Sequence, residues 1–482
     1  MWNRFRENLF TNILIAFIIV QPILDILTFF YIRNFDSSIT IGLVSRVLFM
    51  LFAVLFIFFG NKSTLKKYVV PYLIGLFIVI GMGLVYNFFA KPIFSPFSEL
   101  QLIAKTVYFS INFCAYLLIF DSMSKVQATK LKILKAVTIA MLIVSFSMFI
   151  AIITGTAERT YDYVKFGFKG WFHAGNEISA IVAICFPLVY IYALRNTPTL
   201  KKIYNFIPVI LLSIISILIG TKVGHFAVFL VSFIIAANYL IIWIIKSIKK
   251  SKDPTFKTRF IAAVSFFIFF LLITPLSPSF ANVANDYIQL KEEASTPAND
   301  TQEEESPIED NNEELDPDES EDPLSGEDKE KKKSNRVTID SEILNIILSS
   351  RNIYFTDMYN DYLKADLYQK LFGMGYAGNY EEKAKLIEMD FFDLFFSFGI
   401  IGFIIILLPL LITIFLVLKR LVKTPALVFT PENLLLLSSM ALGFGIAFLA
   451  GHVMFAPAVS IYLSIVLTLF IVSWSNQDSR TI

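Results

Sequence analysis

Arg351-Asn-Ile-Tyr-Phe355, Leu371-Phe-Gly-Met-Gly-Tyr-Ala-Gly-Asn379 and Ile387-Glu-Met-Asp-Phe-Phe-Asp393 follow one another at the end of residues 276–389, the one long segment of this 482-residue chain that cannot sit in a lipid bilayer. The first half of that segment is acidic and dotted with proline, as in Glu303-Glu-Glu-Ser-Pro307 and Asp316-Pro-Asp-Glu-Ser-Glu-Asp-Pro323. On either side the chain consists of apolar runs of about twenty residues, the length that crosses a hydrocarbon core, joined by short links. A chain built this way, with a single structured loop, is expected to work at the membrane surface that carries the loop.

Composition excludes a soluble protein. Hydrophobic residues make up 56% of the chain, Phe occurs 50 times and mean hydropathy is +0.66, whereas soluble domains average roughly 45–50% apolar. The net charge of +1 conceals a segregation. Residues 291–333 hold 18 acidic and 5 basic groups, a net of −13, which leaves +14 for the rest. That excess lies in short links, where it sets membrane orientation, and no nucleic-acid partner is implied. Cys114 and Cys185 both fall inside apolar runs, so neither a disulfide framework nor a thiolate metal site is on offer.

Twelve runs qualify as spans: 9–32, 41–59, 69–89, 101–120, 132–154, 176–194, 204–220, 223–245, 259–276, 391–418, 434–450 and 453–474. The expected fold is an all-α polytopic membrane protein. Spans one to nine occupy residues 1–276, a large extracytoplasmic loop with amphipathic helices occupies 277–390, and spans ten to twelve occupy 391–482. The first run is longer than a signal-peptide core and no small-x-small site follows it, so it reads as a retained helix. Lys and Arg concentrate in alternate links: 61–67, 125–135, 195–202, 246–259 and 419–423. The other links, at 32–36, 90–92, 155–175, 220–224 and 451–452, are poorer in them. This alternation places both termini in the cytoplasm and the long loop outside.

The loop divides in two. Residues 291–333 have few large apolar groups and strong self-repulsion, and are expected to be a disordered, solvated spacer. Beyond Val337, Phe355, Met358, Tyr359, Tyr362, Leu363, Leu367 and Leu371 recur at helical spacing, which predicts an amphipathic helix lying on the membrane or over a cavity between helices. No internal repeat is visible, and the loop follows the ninth span, which weighs against a transporter of two six-helix halves.

Most charges stand at span ends, where long side chains snorkel. Lys222, in Gly220-Thr-Lys-Val-Gly224, reads either as such a lysine or as a cation placed for an anionic ligand; His225, one turn on, either supports it or is buried. The 155–175 loop carries Arg159, Lys165 and Lys169 before Gly170-Trp-Phe-His-Ala-Gly-Asn-Glu-Ile-Ser179. Asn176 and Glu177 then open the sixth span, whose N-terminal N–H groups could face an anion; Glu177 is equally a favourable charge at that terminus. Arg351 offers a planar fork suited to phosphate. Glu388, Asp390 and Asp393 stand where the chain returns to the membrane, either as capping charges or as bases for a hydroxyl. No Walker loop, His-Glu-x-x-His or Cys/His cluster occurs, and His173, His225 and His452 are far apart in sequence, so no metal or other cofactor is expected.

Four of these stretches resemble the O-antigen ligase and polysaccharide polymerase-like membrane proteins. Gly170-Trp-Phe-His-Ala-Gly-Asn-Glu-Ile-Ser is similar to that family's Gly-x-Phe-x-x-x-Asn segment, and Gly220-Thr-Lys-Val-Gly to its short Ser/Thr-Arg turn, with Lys for Arg. Arg351 with Leu371-Phe-Gly-Met-Gly-Tyr376 is similar to its loop Arg and Phe-Gly-x-Gly stretch, and Glu388 to Gly402 to its re-entry segment ending in Gly-x-x-Gly. The resemblance, spread over residues 155–402, implies transfer of a glycan from a polyprenyl-diphosphate-linked oligosaccharide to a glycan acceptor hydroxyl. It further implies inversion, no metal, and a site at the outer face of a bacterial cytoplasmic membrane, among membrane lipid and other envelope polysaccharide assembly proteins. On that analogy Lys222 and Arg351 bind the diphosphate, and Lys169 and Asn176 line the same cavity. His173, Glu177, His225 and Tyr376, in the same motifs, complete the expected substrate-binding set. Where many ligases have a His-Asn pair, this chain has Glu388-Met-Asp390, so Glu388 and Asp390 are expected to act on the acceptor, and a polymerase is favoured over a lipid A-type ligase. A flippase for a lipid-linked sugar would want the same cationic cavity, and a non-catalytic scaffold would tolerate loss of Arg351 or Lys222.

Overall fold

A computed structural model describes residues 2–35, 39–122, 126–161, 165–248, 254–295, 351–381 and 384–478. Its helices are α1 (Trp2–Asn34), α2 (Ile41–Leu55), α3 (Lys66–Ala90), α4 (Pro96–Ser122), α5 (Val126–Ile153), α6 (Gly175–Asn196), α7 (Ile207–Ile219), α8 (Lys222–Ile248) and α9 (Pro254–Ile273). After these come α10 (Pro278–Ser295), α11 (Arg351–Lys364), α12 (Leu367–Phe372), α13 (Asp390–Ile406), α14 (Leu408–Lys423), α15 (Pro425–Val428), α16 (Pro431–Leu449) and α17 (Pro457–Asp478). Among the described residues 11 helices are long and apolar enough to cross a membrane. They account for all but one of the twelve expected runs. The remaining run, 391–418, is not one helix: α13 and α14 meet at 44°, with Pro409 next to the bend.

The bundle is organised around α6 and α17. Within the apolar windows of these two helices 89% and 83% of residues are buried, against 22% for α9 at the periphery. A helix buried on every side must be apolar all round and thin enough for its neighbours to approach. In α6 the alanines at 180, 183 and 193 serve that need. The hydroxyls of α17 are made compatible with burial by bonding one turn back: Ser464 Oγ to Ser460 O (2.9 Å) and Thr468 Oγ1 to Ser464 O (2.8 Å).

The glycine motifs find their reason in a break inside α13. Gly399 has φ 65° and ψ −176°, which interrupts the helix and strips carbonyls of their intrahelical donors. Inside a bilayer such groups must be satisfied by protein. Met374 N–H donates to Phe396 O (2.9 Å) and Gly375 N–H to Ser397 O (3.1 Å), so the Phe-Gly-Met-Gly turn mends the gap. A Cβ on Gly373 would stand 2.1 Å from Ser397 O, and one on Gly399 2.5 Å from Leu371 O. The same turn is pinned to the bundle. Asn87 Nδ2 donates to Gly373 O (3.0 Å), and Lys91 Nζ donates both to Glu99 (2.7 Å) and to Tyr376 O (2.7 Å).

The expected amphipathic helix is α11. Met358 and Ala365, flanked by Phe355 and Tyr362, form a small second core with Met374, Ile387, Met389 and Phe396. Tyr359, Leu363 and Leu367 remain exposed. The 155–175 link forms a hairpin, β1 (Glu158–Arg159) antiparallel to β2 (Phe168–Gly170). Of the acidic tract, residues 291–295 continue α10 instead of starting a disordered spacer. The rest of that tract, with the expectation of disorder attached to it, lies outside the described residues.

Candidate functional site

The site is assembled by two carboxylates three residues apart at the start of α13. Asp393 accepts from Ile387 N–H (2.9 Å) and Met389 N–H (3.2 Å), and so clasps the loop segment that carries Glu388. Asp390 accepts from His452 N–H (3.0 Å), Val453 N–H (2.8 Å) and Met454 N–H (2.6 Å), and so clasps the α16–α17 loop. Both clasps hold strained backbone. Among the described residues, the non-glycine residues with positive φ are Ala377, Glu388 (63°) and His452 (59°). Such a conformation costs about 1–3 kcal/mol and gathers at functional sites. Here two of the three meet: His452 Nε2 lies 3.9 Å from the Glu388 carboxylate.

Arg351, the first residue of α11, completes the cluster. Its Nη2 lies 3.4 Å from Glu388, a long contact, while its Nε is buried and has no hydrogen-bond partner among the described residues. The guanidinium is therefore anchored at one point and has donors to spare for an anion. His452 lies in a loop between spans. Burial lowers its imidazolium pKa below the ordinary 6.5; Glu388 opposes the shift, and Arg351 and Lys105 add to it. The shift favours the neutral ring, the form that can take up a proton.

Beneath this cluster the charge continues into the bundle. Half-buried Glu177 lies within electrostatic reach of Asp25, Arg46, Lys105 and Asp390. Asp25 of α1 and Arg46 of α2 form an ion pair, with Arg46 Nε also donating to Gln21 (3.1 Å). Asp25, Arg46 and Lys105 were legible as charges inside apolar runs 9–32, 41–59 and 101–120, so the reading of charges as mainly span-end snorkellers does not hold for them.

The other candidates fall in three places. Lys222 is exposed at the start of α8, on a turn tied to the hairpin and α10: Asn282 Nδ2 donates to Gly220 O (3.0 Å) and Phe166 O (2.8 Å), and Thr160 Oγ1 to Ile219 O (2.7 Å). His225 is buried, with Nε2 3.2 Å from Thr274 Oγ1 and its ring against Phe270. Lys169 pairs with Glu158 across the hairpin (3.4 Å), and partial burial followed by Lys169 lowers the pKa of the nearby His173. Asn176 is exposed in the first turn of α6, whose N-cap Ala174 supplies no side-chain acceptor. Tyr376 belongs to the Lys91–Glu99 clasp, its N–H donating to Glu99 (3.0 Å). Arg351, Glu388, Asp390 and Glu177 are thus drawn into one electrostatic cluster. The bonds of the Gly220 turn run to the hairpin, to α10 and, through Thr221 Oγ1 and Ser179 Oγ (2.7 Å), to α6 two residues beyond Glu177.

Asp390 accepts from three backbone N–H groups and so holds the His452 loop. His452, set aside in the sequence as a remote histidine, stands beside Glu388. Its signal was weak: one His after Gly451, in a short link on the same side as the long loop. Among the described residues no group of three or more His, Cys, Asp or Glu side chains could hold a metal ion.

No curated protein and no solved structure matches the chain. One family does, over residues 7–477, which include every span and every loop of the site. With a bundle of apolar helices, a re-entry segment mended by a Phe-Gly-Met-Gly turn, and a cationic loop residue above it, the chain belongs to the O-antigen ligase like membrane proteins, a multi-pass family of glycan-ligating and polymerising enzymes.

Proposed function

We propose that the protein is a polysaccharide polymerase of the outer membrane face, transferring a growing glycan from a polyprenyl diphosphate to the hydroxyl of a lipid-linked repeat unit. The observation that carries this reading is the Arg351–Glu388–His452 cluster, in which an under-used guanidinium and a neutral imidazole face one carboxylate. Arg351 binds the diphosphate and offsets the charge that develops on it as the bond from the anomeric carbon to the phosphate oxygen breaks. His452 takes the proton of the acceptor hydroxyl as that oxygen bonds to the anomeric carbon from the opposite side, which inverts the centre. Glu388 stabilises the imidazolium that results, in the manner of the carboxylate of a catalytic triad. The diphosphate leaves with the electron pair of the broken bond, so the transfer balances without a metal or redox partner. The distribution of Lys and Arg between alternate links supports an outward site and cytoplasmic termini. The replacement of His-Asn by Glu388-Met-Asp390 supports a polymerase over a lipid A-type ligase.

The test is purified protein in liposomes with a lipid-linked oligosaccharide repeat unit, the products being resolved on a gel. A ladder of increasing length is expected. Single transfer to an added envelope acceptor, without a ladder, would make the protein a ligase, and appearance of the lipid-linked sugar in the opposite leaflet with no product would overturn the enzyme reading.

A further inference from the structure

The end of the bundle away from this site holds a second charged cluster that the transfer reaction does not use. A cavity of about 300 Å³ opens there between α5, α6, α8, α9, α16 and α17, and its walls include Gln127, Lys130, Arg195, Tyr239, Arg259 and Glu432. Glu177 and Arg195 lie at opposite ends of α6, which at 1.5 Å per residue puts about 30 Å between the two clusters.

Glu432 is the carboxylate on these walls, and it is fully engaged. Arg195 grips it as a fork, Nε to Oε2 at 2.9 Å and Nη2 to Oε1 at 2.8 Å, and Lys130 Nζ pairs with Oε1 while also donating to Ser473. Arg259 is left over. Among the described residues its buried Nε has no hydrogen-bond partner and no carboxylate pairs with it. Tyr239, 4% exposed, lies within its electrostatic reach. Arg259 is half-buried, and a guanidinium whose Nε is shielded from water without an acceptor is costly, so among the described residues three cations around one carboxylate leave the cavity electrostatically incomplete. The shortfall is that of an oxyanion. Two guanidinium groups and an ammonium supply the several donors that a phosphate takes up, and 300 Å³ is enough for a small phosphorylated group. Ile191, Leu194 and Leu435 add apolar wall beside these donors.

We propose that this cavity is a second anion site, which holds a phosphate-bearing group against Arg259 and Arg195. The phosphate comes either from the headgroup of an anionic lipid at this membrane face or from a free phosphate in solution. The inference does not depend on the polymerase reading.

The full-length protein in nanodiscs of phosphatidylcholine provides the test. One arm replaces part of the lipid with phosphatidylglycerol; the other adds inorganic phosphate to pure phosphatidylcholine. Thermal unfolding midpoint and bound lipid, counted by native mass spectrometry, are read for wild type, Arg259→Gln and Arg259→Lys. A rise of several degrees in wild type, lost in Arg259→Gln and reduced in Arg259→Lys, is the expected result. A rise with phosphatidylglycerol alone assigns the site to a lipid headgroup, and a rise with inorganic phosphate assigns it to free phosphate. The proposal is overturned if neither anion raises the wild-type midpoint, or if Arg259→Gln responds as wild type does. Should Arg259→Gln fail to fold, an Arg259→Lys response equal to that of wild type overturns it equally.

Discussion

The two ends of this bundle use charge in opposite ways. At one end Glu432 sits in the first turn of a regular helix and is gripped by Arg195 and Lys130, while Asp121 nearby accepts from Ser63 Oγ and from the backbone N–H groups of Thr64 (2.9 Å) and Leu65 (3.3 Å). Each carboxylate there ties helices together through ordinary backbone. At the other end Asp390 and Asp393 also act as clasps, but what they hold is strained: Glu388 and His452 at positive φ, facing an arginine with unspent donors. Satisfied charge on relaxed helices stabilises a fold, whereas charge held short of satisfaction on strained loops is poised for a ligand. Arg259 is the exception at the first end, and it is the residue on which the second anion site rests.

The comparison breaks most readily at Arg351. Arg351→Ala is expected to lower transfer by about 10²–10³-fold, the usual effect of deleting one preorganised donor to developing charge, while the protein inserts in the membrane normally. Normal polymer from this variant would remove the distinction between the two ends. His452→Gln is expected to cost about 10²-fold or more in turnover, the range for loss of general-base help, without weakening donor binding; a change confined to KM would instead make His452 a binding residue.

The pH profile sharpens the same point. His452 works in its neutral form and its pKa is held below 6.5, so turnover should be flat near neutrality and fall as the pH drops through that lowered value. Glu388→Gln removes the anion that favours the imidazolium, so the acidic fall should move to still lower pH. A profile that keeps its position in this variant would uncouple the two residues.

At the opposite end, Glu432→Gln leaves Lys130 and Arg195 without their counter-charge and is expected to cost roughly 3 kcal/mol of stability, with turnover per folded molecule unchanged. Gly373→Ala acts on one turn: its Cβ would meet Ser397 O at 2.1 Å and its φ of 96° disfavours any side chain. The 371–376 turn should detach from α13, read as faster amide exchange at Met374 and Gly375, while the Lys130–Glu432 end stays protected. Equal protection of the turn in wild type and variant would show that the turn does not depend on this contact.

Much of the fold could be read from hydropathy alone. The positions of the apolar runs follow from the cost of leaving a backbone unpaired in lipid, which makes each crossing a helix of nearly fixed length. The departure at 391–418 escaped that reading because Gly399 and Pro409 break a helix geometrically while leaving its composition apolar. Arg351, Glu388 and Asp390 were marked by charge placed where the chain meets the membrane. What could not be read was who faces whom. The sequence left Asp390 open between a capping charge and a base, since nothing there shows that three N–H groups from a loop some sixty residues away engage it.

By itself, then, the sequence determined that this chain lives in a membrane, how many times its apolar runs can cross, and which polar stretches carry the family's motifs, because these depend on local composition and on solvation. Only the tertiary structure decided that His452 belongs with Arg351 and Glu388, that the Phe-Gly-Met-Gly turn mends the break at Gly399, and that among the described residues no carboxylate pairs with Arg259. Those are contacts between residues far apart in the chain, and hydrogen bonding and charge pairing are settled by distances of a few ångströms that no local pattern encodes.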